Sequence, residues 1–183
     1  MGQTTLSGPL LVTGQDLLVN SSVQQLPLGT YAETTDGRGF RYGKAVATTV
    51  AGKLYQCTPQ DATNYAPPGG LGVSTAAIGA TSITITSSVT IAANALAGGY
   101  LTAAITVGAG YTYRIKSNTA VSGATGCVIT LDDPLVVAFA SGSTKVVMVA
   151  APYGAVVVMP TTITAAPAGV STTILTTAYF GWF

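Results

Sequence analysis

The residues able to do chemistry in this chain are few, and their spacing argues against catalysis. None of the 183 residues is histidine, which removes Ser-His-Asp and Cys-His nucleophile pairs and any His-ligated metal. The two cysteines, Cys57 and Cys127, stand far apart with no CxxC partner. Without histidine they cannot complete a zinc site, and they read as buried, unbridged thiols acting as small hydrophobes. The one adjacent carboxylate pair is Asp132-Asp133, followed by Pro134. Neighbours on an extended chain point to opposite faces, so the two do not share a proton. They read as a turn closed by Asp-Pro, with a calcium site in an assembled particle as the other use.

Two further groups gather in the same glycine-rich stretch, residues 98–139. Gly108-Ala109-Gly110 has the glycines of a phosphate loop, but Tyr111-Thr112-Tyr113 follows it as a strand. No helix N-terminus is there to hold an anion, so the glycines predict a hairpin turn. Arg114 and Lys116 are two apart and share one face of that strand. They can meet Asp132 or Asp133 of this or another subunit, or stay solvated and block unwanted pairing at a sheet edge. No catalytic residue, metal site or cofactor is expected.

Composition narrows the class. Hydrophobic residues make up 48% and charged residues only 7%, against about 25% charged in an ordinary globular protein. So few charges leave a surface that neighbours must cover: a membrane, a fibre or a large assembly. A spanning helix needs roughly 20 apolar residues, and the best run, 146–159, is broken by Pro152 and Gly154. No signal peptide is read at the start, and Leu6 stands where myristoylation needs Ser or Thr. With aromatics at 8% and not paired into belts, a membrane barrel is not expected either. The net charge of +1, with no basic cluster beyond Arg38, Arg41 and Lys44, argues against nucleic acid.

Along the chain, residues 1–25 read as an extended arm; the Asn20-Ser21-Ser22 sequon within it is taken as chance. Residues 26–70 read as a hairpin unit followed by a Pro/Gly-rich linker, with strands at 30–34 and 40–44. Asp36-Gly37 between them predicts a type I′ turn. Arg38 and Arg41 then lie on an exposed face or at an interface. The stretch 46–52 is undecided between helix and strand. Residues 71–183 read as an antiparallel β domain, with alternation through Ile83, Ile85, Val89 and Ile91. Further strands are expected at 100–107, 111–117, 127–131, 135–140, 145–149 and 156–159. Short strands at this spacing predict an all-β sandwich or barrel. The chain closes on Tyr179, Phe180, Gly181, Trp182 and Phe183, which predicts a strand buried in the core or in a subunit interface. No exact repeat of solenoid length is present.

The order of several short motifs resembles one family. These are Asp36-Gly37-Arg38 with Phe40-Arg41-Tyr42, Gly98-Gly99-Tyr100-Leu101, Gly110-Tyr111-Thr112-Tyr113-Arg114-Ile115, Leu131-Asp132-Asp133-Pro134-Leu135, Pro152-Tyr153-Gly154, and Gly169-Val170 before the Tyr179–Trp182 cluster. Together, over most of residues 26–183, they resemble tailed-bacteriophage head proteins, specifically capsid decoration or cement subunits. The resemblance implies a non-enzymatic virion protein, assembled in the host cytoplasm. Its partners would be the major capsid protein and itself, as a homotrimer, with the 1–25 arm as a clamp. Apolar burial between capsomers would supply the stabilisation. A head-fibre or tail-fibre component is the alternative within that class. A glycan-binding module, using Tyr65 with Asp61 and Asn64, is the alternative outside it.

Overall fold

A computed structural model describes residues 9–183; residues 1–8 of the expected arm, including the stretch read for a signal peptide and a myristoylation site, lie outside the described residues. The fold is almost entirely β, as expected, with one four-residue α-helix. In chain order the strands are β1 (Leu10–Leu11), β2 (Tyr31–Glu33), β3 (Gly39–Lys44), β4 (Leu54–Gln56), β5 (Leu71–Gly72), β6 (Ser82–Ile85), β7 (Val89–Ile91) and β8 (Tyr100–Ile105). They continue with β9 (Thr112–Asn118), β10 (Val121–Ala124), β11 (Cys127–Leu131), β12 (Lys145–Val149), β13 (Val157–Val158), β14 (Pro167–Val170) and β15 (Phe180–Trp182). The helix α1 is Ala62–Tyr65. Two compact units result: residues 1–57 with 155–183, and residues 58–154. These units cut the chain at other places than the expected 25/26 and 70/71. The chain leaves the first unit after Cys57 and returns to it at Ala155.

The 58–154 unit is a nearly closed six-stranded barrel, ordered β5-β12-β8-β9-β11-β6, with every neighbouring pair antiparallel. The ring closes because the chain just after β5 pairs with β6. Val73 bridges Ile85, the Ser74 N–H donates to the Thr84 carbonyl at 2.9 Å, and the Thr86 N–H donates to the Gly72 carbonyl at 2.8 Å. Alternation fills the inside: Tyr113 and Ile115 of β9, Cys127, Ile129 and Leu131 of β11, and Val146 and Met148 of β12 are all buried. Full burial of one such aliphatic side chain contributes about 1.5–3 kcal/mol. Threonine occupies much of the outer face, where the hydroxyls of Thr102 and Thr112 lie 2.9 Å apart across β8 and β9. An apolar interior and a hydroxyl-rich exterior are the reverse of a lipid-spanning barrel. No helix of the described residues is long and apolar enough to cross a membrane.

The stretch expected as a strand at 135–140 is irregular instead. Leu135 exchanges backbone hydrogen bonds with Gly79 and Ala80 and Phe139 with Ala76, and the Phe139 ring packs edge-on against Tyr113 at 6.2 Å near the start of β9. Burial still alternates there, with Leu135 and Phe139 inward and Val136 exposed. Near the other end of β9, buried Asn118 accepts the Leu96 N–H at 3.0 Å. It donates to the carbonyls of Ala92 and Thr119 at 2.8 and 3.0 Å.

The first unit joins a four-stranded sheet, β1-β2-β3-β15, to a three-stranded one, β13-β4-β14. The expected hairpin forms from β2 and β3, but not with a type I′ turn. Its loop spans three residues: the Thr34 N–H donates to the Arg38 carbonyl at 3.0 Å, and Gly37 alone takes a positive φ, 83°. A type I turn followed by a left-handed glycine is the standard three-residue alternative. The described part of the N-terminal arm, residues 9–25, does not extend away. β1 runs parallel to β2, Asp16–Leu18 forms a single 3-10 turn, and Val12 and Leu17 are buried in this unit's core. Two apolar side chains in a run read as polar suffice to dock it.

The barrel's two ends leave it side by side. The Thr58 N–H donates to the Pro152 carbonyl at 2.7 Å, and the Gln60 amide exchanges hydrogen bonds with Ala150. Residues 58–154 expressed alone should therefore unfold in one cooperative thermal transition with β-type circular dichroism. A non-cooperative melt would show that the barrel does not stand by itself.

Candidate functional site

The sequence offered two groups of candidate interface residues, one charged and one aromatic. The aromatic group lies inside the first unit. Trp182 pairs with Tyr42 across β15 and β3, with ring centroids 5.3 Å apart and edge-on, while Phe180 stacks on Tyr42 at 6.1 Å. Phe183 points to the opposite face and meets Tyr55 of β4 edge-on at 5.5 Å. On that face Gly43 and Gly181 sit opposite each other, and side chains there would run into Val156, Phe183 and Leu175. Phe180, Trp182 and Phe183 are buried, so of the two places expected for them, the core is the one they take. Tyr179 is half-buried, and its carbonyl accepts the Ala45 N–H at 2.9 Å.

The charged candidates remain on the surface. Arg38 pairs with Asp36 at 2.8 Å and lies over the Phe40 ring at 5.8 Å. The Thr34 hydroxyl bonded to Asp36 is the main force holding that carboxyl below the usual range, with Arg38 adding to it. Arg41 stacks over Tyr31 at 4.8 Å and donates to the Gly29 carbonyl at 2.9 Å. Arg114 and Asp132 come together within one chain, at 3.5 Å, because the Asp132 N–H pairs with the Arg114 carbonyl where β11 ends beside β9. Lys116 and Asp133 are exposed and join no ion pair among the described residues. Exposed pairs of this kind contribute about 0–1 kcal/mol. They mark the surface more than they hold it.

Asp61, Asn64 and Tyr65, weighed as a glycan contact, are occupied inside the barrel unit. Asp61 caps α1 by accepting the Asn64 N–H at 3.1 Å, and the Asn64 amide donates to its other oxygen at 2.6 Å. These bonds from Asn64 lower the Asp61 pKa. Asn64 Oδ1 accepts the Thr90 N–H at 2.7 Å, and Tyr65 packs against the barrel core, where burial raises its phenol pKa. Cys57 and Cys127 are both buried, and burial likewise pushes the Cys127 thiol up. Among the described residues, no three His, Cys, Asp or Glu side chains gather closely enough to hold a metal ion. An open depression lined by Thr90, Ile91, Ala92, Ala120, Val121 and Ser122 carries no ionisable group.

The surface that sequence reasoning missed is an uncharged one. Residues 45–57 and 155–183 hold a single charged side chain, Lys53. Within them, β4 and the chain before it pair antiparallel with β14 and the chain after it, while β13 takes the other side of β4. Gln56 stands opposite Pro167, Tyr55 opposite Gly169 and Leu54 opposite Val170. The pairing continues through Ser171 with Lys53, and Thr49 with Leu175. Tyr55, Thr49 and Leu175 point inward and are buried, while Leu54, Val170, Val50 and Ile174 face out, 46–61% exposed. The signal available in the sequence was the absence of charge over two distant segments, which only the fold brings together. Strands β4 and β14 were not expected at all, because Pro59 and Pro167 flank them and each is very short.

No known protein family, curated protein or solved structure matches this chain.

Two substitutions separate core from surface. Trp182→Ala should destabilise the first unit by about 3–5 kcal/mol, lowering its chemical-denaturation midpoint steeply. A double-mutant cycle of Arg114→Ala with Asp132→Ala should return a coupling below about 1 kcal/mol. A larger coupling would show that the pair is structural.

Proposed function

We propose that this chain is a structural subunit of a tailed-phage virion, a decoration or cement protein bound to the outer surface of the head. One observation carries the reading. Among the described residues, 20 large hydrophobic side chains are exposed, whereas the whole chain has only 13 charged ones. Soluble monomers seldom expose contiguous apolar area beyond a few hundred Å², and such a surface suits a protein covered by neighbours. The motif order in residues 26–183 supports the phage assignment. Its partners on this reading are the major capsid protein and further copies of itself, arranged as a homotrimer. The subunit acts by burying apolar area across capsomer contacts rather than by catalysis. The described part of the arm is docked on its own unit, so the clamp role falls to the exposed faces. A head-fibre or tail-fibre place is the second reading, favoured by the same uncharged β surface.

Quantitative mass spectrometry of purified virions tests the proposal. Hundreds of copies per particle are expected for a decoration subunit and few for a fibre. Absence from particles overturns both. Particles lacking the protein should release DNA at lower temperature than wild type.

A further inference from the structure

We propose that the uncharged ladder of the first unit is a self-association face, where Leu54, Val170, Val50 and Ile174 of each copy meet the same residues of its neighbours around the oligomer axis. The inference rests on the multi-copy subunit reading above and deepens it by naming the face. The geometry places two exposed apolar pairs on the outer side of the ladder. Leu54 and Val170 are directly cross-strand, and Val50 and Ile174 flank the inward Thr49–Leu175 pair on the outer side. Strand β4 is paired on both sides, by β13 and β14, so along it a partner meets side chains rather than free backbone groups.

Charge decides the occupant. A surface of ordinary composition is about one-quarter charged. Laid against this face, it would lose the hydration of those charges with only Lys53 to answer them, which is costly. The fitting partner is equally free of charge. This chain supplies such a surface itself, and interfaces between identical subunits are the more apolar class. The charged residues of the first unit other than Lys53 all lie between Asp16 and Lys44, outside the ladder, where they keep the rest of the unit solvated.

The purified full chain should sediment at a multiple of its 18.3 kDa mass. Leu54→Glu and Ile174→Glu, both at exposed positions, should each sediment as one chain while keeping wild-type circular dichroism. Leu54→Lys should do the same, and mixing it with Leu54→Glu should restore the larger species. Val149→Glu, on the outside of β12, should leave the mass unchanged. A folded wild type of single-chain mass, Glu variants that keep the oligomer, or dissociation by Val149→Glu alone would each overturn the proposal. A monomeric chain still abundant in virions would sink this face and leave the virion reading standing. An oligomer that depends on Leu54 but is absent from particles would do the reverse.

Discussion

Strand β15 hydrogen-bonds along β3 with aromatic side chains on both of its faces, and the first unit has no core without it. Phe180 and Trp182 complete one face around Tyr42, together with Val12 and Leu17 from the N-terminal segment. Phe183 completes the other against Tyr55. Glycines at 43 and 181 let that second face approach closely. A side chain at 43 would press on Val156 and Phe183, and one at 181 would displace Leu175. The ladder that carries the exposed pairs is held by the same arrangement, since Tyr55 anchors it from beneath and Leu175 packs on Gly181.

With so few charges, polarity inside the molecule is managed by hydroxyls and amides. Thr49 is buried, accepts the Leu175 N–H at 2.7 Å and donates to the Thr173 carbonyl at 3.1 Å. Ser171, also buried, donates to the Thr173 carbonyl at 2.6 Å. Gln56 closes a similar exchange with Thr164, and Asn118 does so in the barrel. Among the described residues no buried side-chain nitrogen or oxygen lacks a partner. A buried neutral group that is satisfied avoids a cost of about 1–3 kcal/mol, without the much larger desolvation that an ion would bring.

The barrel was largely legible in the sequence because alternation is a local property. Ile83 with Ile85, Tyr113 with Ile115 and Cys127 with Ile129 announce their faces without help from distant residues. For Arg114 the sequence left open Asp132, Asp133 or solvent; the end of β11 beside β9 selects Asp132 of the same chain. What was not legible depended on partners far along the chain. Strand β4 has three residues and no pattern of its own; it exists because 157–158 and 167–170 flank it. The terminal aromatics announced burial but not its place. The short arm looked polar because Val12 and Leu17, its two anchors, are separated by residues that face water.

The insertion of the barrel between Cys57 and Ala155 gives the two units different schedules during synthesis. The barrel is contiguous and can close as soon as residue 154 has left the ribosome. The first unit must hold β2 and β3 exposed through all of that time, because β15, the strand that covers β3, is made about 120 residues after Cys57. Its apolar faces stay open longest in a chain that has few charges to keep it apart from its neighbours, and exposed apolar surface of that kind promotes premature association. Early folding of the barrel places a compact, threonine-coated body between the two halves during that interval. It also holds Thr58 against Pro152, which shortens the loop that the returning segment has to close.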